Sequence, residues 1–245
     1  MAMKIVAIIP ARYASTRLPG KPLLAATGKP LIQYVVDNAR AARRVQRVVV
    51  ATDDERIQRA VQGFGGEAVM TRSDHRCGTD RIAEAAGTLA LAEADLVLNV
   101  QGDEPELPSR CLDALIDLMD RSDAPMGTLA TPLPARLAGD PNKVKVVLAR
   151  DGKALYFSRA RIPHERDDDG TAGYLLHHGV YAFRVGFLKR LSSLPQTAAE
   201  KAEKLEQLRA LEHGYDIAVA TVEHCGTGID TPADYAEFVK RAAGR

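Results

Sequence analysis

Ile5-Val6-Ala7-Ile8-Ile9-Pro10-Ala11-Arg12-Tyr13-Ala14-Ser15-Thr16-Arg17-Leu18-Pro19-Gly20-Lys21-Pro22-Leu23 is the stretch from which the fold can be read. Its apolar start, Ile5 to Ile9, has the length and β-branched content of a buried strand. Between Arg12 and Lys21 follow three cations, the hydroxyls of Ser15 and Thr16, and one glycine, Gly20. An open α/β sheet binds its ligand beyond the carboxyl ends of its strands, where such a loop emerges. Arg12, Arg17 and Lys21 have no carboxylate close by in sequence, and cations so near one another repel unless an anion sits among them. A triphosphate fits that requirement, and a solvated basic loop is the alternative. The stretch is not a Walker A loop, since Ser15 and Pro22 stand where that pattern needs glycine and a hydroxyl residue. A dinucleotide fingerprint is excluded because it needs more than one glycine.

Working outward, the first half of the chain alternates strand, loop and helix. Lys29-Pro30 opens a helix whose apolar positions are Leu31, Ile32, Val35, Val36 and Ala39, with proline in the first turn where its missing N–H costs nothing. The cations Arg40, Arg43, Arg44 and Arg47 read as the solvated end of that helix rather than as a nucleic-acid patch. Arg47–Thr52 is a second strand, Asp53-Asp54-Glu55 begins a second helix, and Glu67–Thr71 is a third strand. Gly78-Thr79 leads into a third helix, Asp95–Val100 is a fourth strand, and Ser109 caps a fourth helix. This alternation predicts an α/β fold with a mostly parallel, doubly wound sheet and helices on both faces.

The second half is less regular. Met126–Leu133, Val144–Leu148 and Ala154–Phe157 read as strands without long crossovers, and so as antiparallel additions. Further strands are expected over Gly179–Phe183 and Ile217–Val222. One helix is expected over Glu200–Leu211, with Glu200 and Lys204 in the favourable i, i+4 order. Thr231-Pro232 starts the last helix.

Thirty-three Lys and Arg against 32 Asp and Glu leave a net charge of +1, which argues against a dedicated nucleic-acid binder. No apolar run approaches the ~20 residues of a membrane span, and Met1-Ala2-Met3-Lys4 runs straight into the first strand without a leader pattern. Cys77, Cys111 and Cys225 are scattered and odd in number, which fits a reducing cytoplasm rather than a disulfide framework or a zinc site.

Two acids stand out. Asp103 follows a buried strand and Gly102; Asp230 lies between Gly226-Thr227-Gly228 and the last helix. Two carboxylates at element ends suit Mg²⁺, which is held by one or two carboxylates and substrate phosphate oxygens. Each also has a plain reading, Asp103 as a turn residue and Asp230 as a helix N-terminal acid. With the basic loop, the pair implies a metal-assisted transfer in which a nucleophile attacks a triphosphate and diphosphate leaves.

Pro10-Ala11-Arg12-Tyr13-Ala14-Ser15-Thr16-Arg17-Leu18-Pro19-Gly20-Lys21-Pro22-Leu23 closely resembles the signature of 3-deoxy-D-manno-octulosonate (KDO) cytidylyltransferases. Asn99-Val100-Gln101-Gly102-Asp103-Glu104-Pro105, Tyr156-Phe157-Ser158-Arg159-Ala160, Leu205-Glu206-Gln207-Leu208-Arg209 and Gly226-Thr227-Gly228-Ile229-Asp230-Thr231-Pro232 resemble later blocks of the family, in family order. The resemblance spans essentially the whole chain. It implies one domain of the nucleotide-diphospho-sugar transferase type over residues 1–245, with an antiparallel dimerisation extension within about 125–185. It also implies a homodimer, Mg²⁺ as cofactor, and CTP and KDO as substrates.

By position, the resemblance makes Arg12, Arg17 and Lys21 the triphosphate cations and Asp103 and Asp230 the metal ligands. Pro10, Ala11, Ser15, Cys77, Gly78, Thr79 and Gln101 complete the nucleotide site. Gln101, Arg159, His177, Tyr181, Glu206 and Asp230 would surround the sugar acid, with Arg159 forked onto its carboxylate. Cys77 stands where the family pattern has serine, Gln33 where it has histidine, and His164 where it has tryptophan. A related enzyme acting on another acidic sugar, or a chain that binds CTP without turnover, remains as an alternative.

Overall fold

A computed structural model of the chain describes residues 3–14, 18–167, 170 and 172–244. Its first elements are β1 (Ile5–Ala11), α1 (Leu31–Arg40), β2 (Arg47–Thr52), α2 (Glu55–Gly63), β3 (Glu67–Met70), α3 (Gly78–Thr88), β4 (Leu96–Asn99) and α4 (Ser109–Arg121). There follow β5 (Met126–Leu133), β6 (Lys145–Leu148), β7 (Ala154–Ser158), β8 (Tyr174–Arg184), α5 (Val185–Ser193), α6 (Ala198–Glu203), α7 (Gln207–Glu212), β9 (Ile217–Thr221) and α8 (Pro232–Ala243). These divide into two compact units, one of Met1–Asp113 with Gly226–Arg245, the other of Ala114–Cys225.

In the first unit β1 lies between β2 and β4 and β3 lies outside β2, all parallel, with Ile8 opposite both Val49 and Asn99. Parallel strands covered on both sides read as continuous apolar runs, and Ile8, Ile9, Val49, Val50 and Leu98 are fully buried. α1 buries the five apolar positions expected of it, although Pro30 is the residue before the helix rather than its first member. The arginine cluster is dispersed. Arg40 bonds the Gly65 carbonyl at 2.6 Å, Arg43 pairs with Asp113 at 3.1 Å, and Arg47 opens β2 and pairs with Glu67. These partners are remote in sequence, so they remain invisible until the chain folds.

The packing that matters most for the site is a small cluster of Leu18, Leu31, Ile229 and Phe238. Leu18 belongs to the loop after β1, and Ile229 to the loop before α8. Burying both beside α1 and α8 draws the two loops together, and Tyr34 meets Phe238 edge to face at 5.1 Å. Apolar burial of this kind contributes about 25 cal/mol per Å².

Gly226 begins the second of these loops at φ +37°, and a Cβ there would lie 2.7 Å from the Glu106 carbonyl oxygen. Both the conformation and the close approach therefore require glycine. Gly226→Ala is expected to cost about 1–3 kcal/mol, read as a lowered midpoint in urea unfolding. An unchanged midpoint would show that the loop yields at no cost.

In the second unit β5 pairs antiparallel with β8 and parallel with β9, and β6 pairs antiparallel with β7 and touches β8 at Lys145–Leu176. The antiparallel additions are thus present. β8 begins five residues earlier than expected, because a bulge opposite Thr128/Leu129 breaks the alternation that would have revealed it. The single helix expected over Glu200–Leu211 is two, separated by Lys204 at φ +53°. Arg209 forks onto Glu200 with bonds of 2.9 and 2.5 Å, both side chains buried. In one continuous helix these residues would be about 13.5 Å apart along the axis. The buried ion pair therefore wins over local propensity, and the Glu200–Lys204 pair gives way to it.

Candidate active site

Lys21 is the centre of the arrangement. Gly20, at φ +67°, turns the chain into a short 3-10 turn, Lys21–Leu23, and the Lys21 side chain is largely buried. Its Nζ donates to Asp103 Oδ2 at 2.7 Å and to the Ile229 carbonyl at 2.8 Å, and lies 3.5 Å from Asp230 Oδ1. Distant in sequence, Asp103 and Asp230 thus meet on one ammonium. The Ile229 N–H donates to the Asp103 carbonyl at 2.8 Å, so the backbones of the two acidic loops are themselves joined. The expectation that the loop cations lack carboxylates holds only along the sequence; in the fold Lys21 has two.

Asp230 stands directly before the N-cap of α8, as the plain reading of a helix N-terminal acid has it, but it does not cap the helix. Thr231 and Asp234 form a reciprocal capping box at the start of α8, and Asp234 accepts from the Asp230 and Thr231 N–H groups at 3.0 and 2.8 Å. Thr231 and Asp234 share the capping, and the Asp230 carboxylate lies 3.5 Å from Lys21 Nζ. The plain reading of Asp103 as a turn residue is also incomplete, because its side chain reaches across to the lysine.

Glu104 is a third acid that sequence reasoning passed over. Loss of solvation pushes its carboxyl up to about 8, helped by the negative charge of Asp103, Cys111 and Asp230. The signal was its position beside Asp103. Its raised pKa reports burial first and the nearby negative charge second.

Pro10, Ala11, Arg12, Lys21, Cys77, Gly78, Gln101 and Asp103 line one cavity of about 480 Å³ in the first unit. Thr79 is buried in the first turn of α3. The positions of Ser15 and Arg17 lie outside the described residues. Gly102 lets backbone close in on the cavity floor, since a Cβ there would lie 2.9 Å from the Pro10 carbonyl oxygen.

Arg12 donates to the His75 carbonyl, and the buried His75 ring bonds Glu84 on α3. The cation is thereby fastened to a loop that is itself fastened to a helix. Arg76 and Arg81 also line the cavity and were not anticipated. Arg81 is wholly buried and pairs with Asp53 at 2.9 Å, so it serves the wall of the cavity before it serves any ligand. Cys77 is the residue preceding α3 and makes no side-chain cap there, as expected of a thiol in place of a hydroxyl.

Arg159, His177, Tyr181 and Glu206 all belong to the second unit. Arg159 follows β7, its Nε donating to the Glu203 carbonyl at 2.7 Å and its Nη1 to the Pro141 carbonyl at 3.0 Å. His177 and Tyr181 lie on β8 with ring centroids 5.5 Å apart, and Glu206 precedes α7 with its carboxylate 3.8 Å from Arg209.

The adjacent histidines take different partners, His177 with Thr128 Oγ1 at 3.1 Å and His178 with Thr131 Oγ1 at 3.0 Å. Burial, aided by His178, pushes His177 down to about 3, so its ring is neutral at physiological pH. The single Thr128 hydroxyl proton is directed to a carbonyl, at 2.8 Å to Val180 O. In the tautomer with the proton on Nε2, the hydroxyl oxygen accepts from that N–H and Nδ1 is left as an acceptor suited to a hydroxyl group.

A family model described as cytidylyltransferase matches residues 6–217. The chain is 52% identical over 236 residues to the 3-deoxy-manno-octulosonate cytidylyltransferase of Syntrophobacter fumaroxidans, covering 95% of this chain and 94% of that one. It is 49% identical over 242 residues to the protein of the same name from Syntrophotalea carbinolica, covering 95% and 96%. Among solved structures it superposes with a TM-score of 0.93 and 45% identity on a CMP:2-keto-3-deoxy-manno-octonic acid synthetase complexed with CTP, over 98% of this chain and 99% of that one. A 4-diphosphocytidyl-2C-methyl-D-erythritol synthase, 17% identical with a TM-score of 0.67 over 99% of both chains, shares the fold.

Proposed function

Because this chain belongs to the 3-deoxy-manno-octulosonate cytidylyltransferase family, we infer that it joins the CMP unit of CTP to KDO and releases diphosphate, activating the sugar for lipopolysaccharide synthesis. The anomeric hydroxyl oxygen of KDO bonds to the α-phosphorus, and the bond from that phosphorus to the β-phosphate bridging oxygen breaks. No covalent enzyme intermediate is needed, because such transfer depends on positioning and on stabilising developing charge. The observation that carries the reading is the convergence of Asp103 and Asp230 on Lys21 Nζ, at 2.7 and 3.5 Å, with Lys21 and Asp103 in the wall of the same cavity as Arg12 and the Cys77-Gly78 turn.

In this reading Arg12 and Lys21 neutralise the triphosphate, and the backbone about Ala11 and Gly78 frames the cytidine. Asp103 and Asp230 would hold magnesium, a role that suits two carboxylates that already share one cation, Lys21. Magnesium bound there supplies charge stabilisation for the phosphate oxygens and the departing diphosphate. Arg159 receives the KDO carboxylate, and neutral His177 accepts from a sugar hydroxyl. A homodimer formed through the antiparallel strands of the second unit accords with β7, which leaves Leu155 61% and Tyr156 38% exposed. No helix among the described residues is long and apolar enough to cross a membrane, and dependence on CTP favours a cytoplasmic setting.

Diphosphate release with CTP and KDO, against CTP and sialic acid, tests the reading. Release with KDO is expected; release only with sialic acid would overturn the choice of sugar, and CTP binding without release would overturn the enzyme. Arg159→Lys is expected to raise KM for KDO by about 10–100-fold through loss of a bidentate charged contact, while KM for CTP holds. An effect on CTP alone would move Arg159 to the nucleotide side.

A further inference from the structure

We propose that Lys145 is a positioning residue for the sugar-acid half of the reaction, an internal ammonium whose task is to hold Arg159 in place. The proposal rests on the reading that Arg159 receives the substrate carboxylate. Lys145 is the first residue of β6 and is fully buried, with 0% of its surface exposed. Its Nζ donates to three backbone carbonyls, Arg159 at 2.6 Å, Lys143 at 2.5 Å and Asp140 at 2.9 Å. All three ammonium donors are thus used, each on a backbone carbonyl and none on a carboxylate. Burial lowers the affinity of the amine for its proton, and the negative charge of Asp140 and Glu203 opposes that loss.

A buried lysine is costly unless something demands it. Here the demand comes from backbone. The Asp140–Lys143 loop and the end of β7 bring three carbonyls to one point. An apolar side chain at 145 would take the ammonium donor from all three, and of them the Asp140 carbonyl keeps the Lys143 N–H at 3.1 Å. The consequence for Arg159 is specific. Its carbonyl is held by Lys145, and its N–H donates to Glu203 Oε2 at 2.9 Å. Its Nη1 donates to the carbonyl of Pro141, which lies in the same loop that Lys145 grips through Asp140 and Lys143. One ammonium therefore sets both the backbone of Arg159 and the brace under its guanidinium. Among the described residues the Nη2 end of Arg159 has no acceptor, so the fork is presented with its root immobilised. The same residue abuts the strand of His177, whose N–H donates to the Val144 carbonyl at 2.8 Å.

Steady-state kinetics on the full-length protein test this, using Lys145→Met, Lys145→Gln, Arg159→Lys and the Lys145→Met/Arg159→Lys double variant. Lys145→Met is expected to raise KM for KDO about tenfold, with KM for CTP within about twofold, as for one charged hydrogen bond misplaced. In the Arg159→Lys background the same change is expected to add little, because a residue acting through another loses its effect once that other is removed. Lys145→Gln, which keeps two of the three donors, should fall between the wild type and Lys145→Met.

Unchanged KM for KDO in a folded Lys145 variant, equal shifts for both substrates, or simple additivity with Arg159→Lys would overturn the proposal. So would loss of the fold in both Lys145 variants, which would make Lys145 structural only. If Arg159→Lys itself leaves KM for KDO unchanged, it is the assignment of Arg159 that fails, and the two failures are distinguishable.

Discussion

Asp103→Asn is expected to lower kcat by at least about a thousandfold, some 4 kcal/mol of transition-state stabilisation, while the protein remains folded. Asparagine keeps the shape of the side chain and removes only its charge. In the native protein that charge lies 2.7 Å from Lys21 Nζ and is shared with Asp230. Without it the corner keeps only the Asp230 carboxylate beside Lys21 and cannot bind magnesium through two acids. Stability should hardly change. The lost ion pair is partly exposed and therefore weak, and removing a negative charge relieves the crowding that raises Glu104. The melting temperature is expected to move by no more than about 3 °C. Diphosphate release at saturating CTP, KDO and magnesium, with a thermal melt beside it, measures both. Near-normal kcat would dismiss Asp103 as a metal ligand.

Lys21→Ala is the second large effect. The ammonium is fixed before any substrate arrives, by the left-handed Gly20, the 3-10 turn and the Ile229 carbonyl. Its orientation is therefore prepaid, and a preorganised charge acts most where charge develops. The expected result is a fall in kcat of about 10²–10³-fold with a smaller change in KM for CTP. Lys21→Arg should not restore the rate, since a planar fork cannot replace a compact ammonium among two carboxylates and a carbonyl. A change confined to KM would reduce Lys21 to ground-state binding.

The strand–helix alternation of the first unit was legible because each element signals its own burial. Val48-Val49-Val50 is apolar on both faces, and α1 shows its buried stripe at helical spacing. The nucleotide-side residues were legible for a related reason, since a basic loop and a Gly-Asp turn occupy strand ends whatever the packing. What escaped notice depended on partners far along the chain. The break at Lys204 follows from Glu200 meeting Arg209, the full length of β8 from a bulge against β5, and the raised carboxyl of Glu104 mainly from its burial in the fold.

Local chemistry, then, was enough for the kind of fold, the loops that line the cavity and the family likeness, because periodicity and loop charge are properties of neighbours. Only folding in three dimensions decided that Asp103 and Asp230 would share Lys21, that Thr231 and Asp234 would close the capping box of α8, and that Lys145 would be sealed against the carbonyl of Arg159. Those outcomes depend on where Leu18, Ile229 and Phe238 are buried together and on which backbone groups lose water. Packing of that sort is set by the whole chain at once.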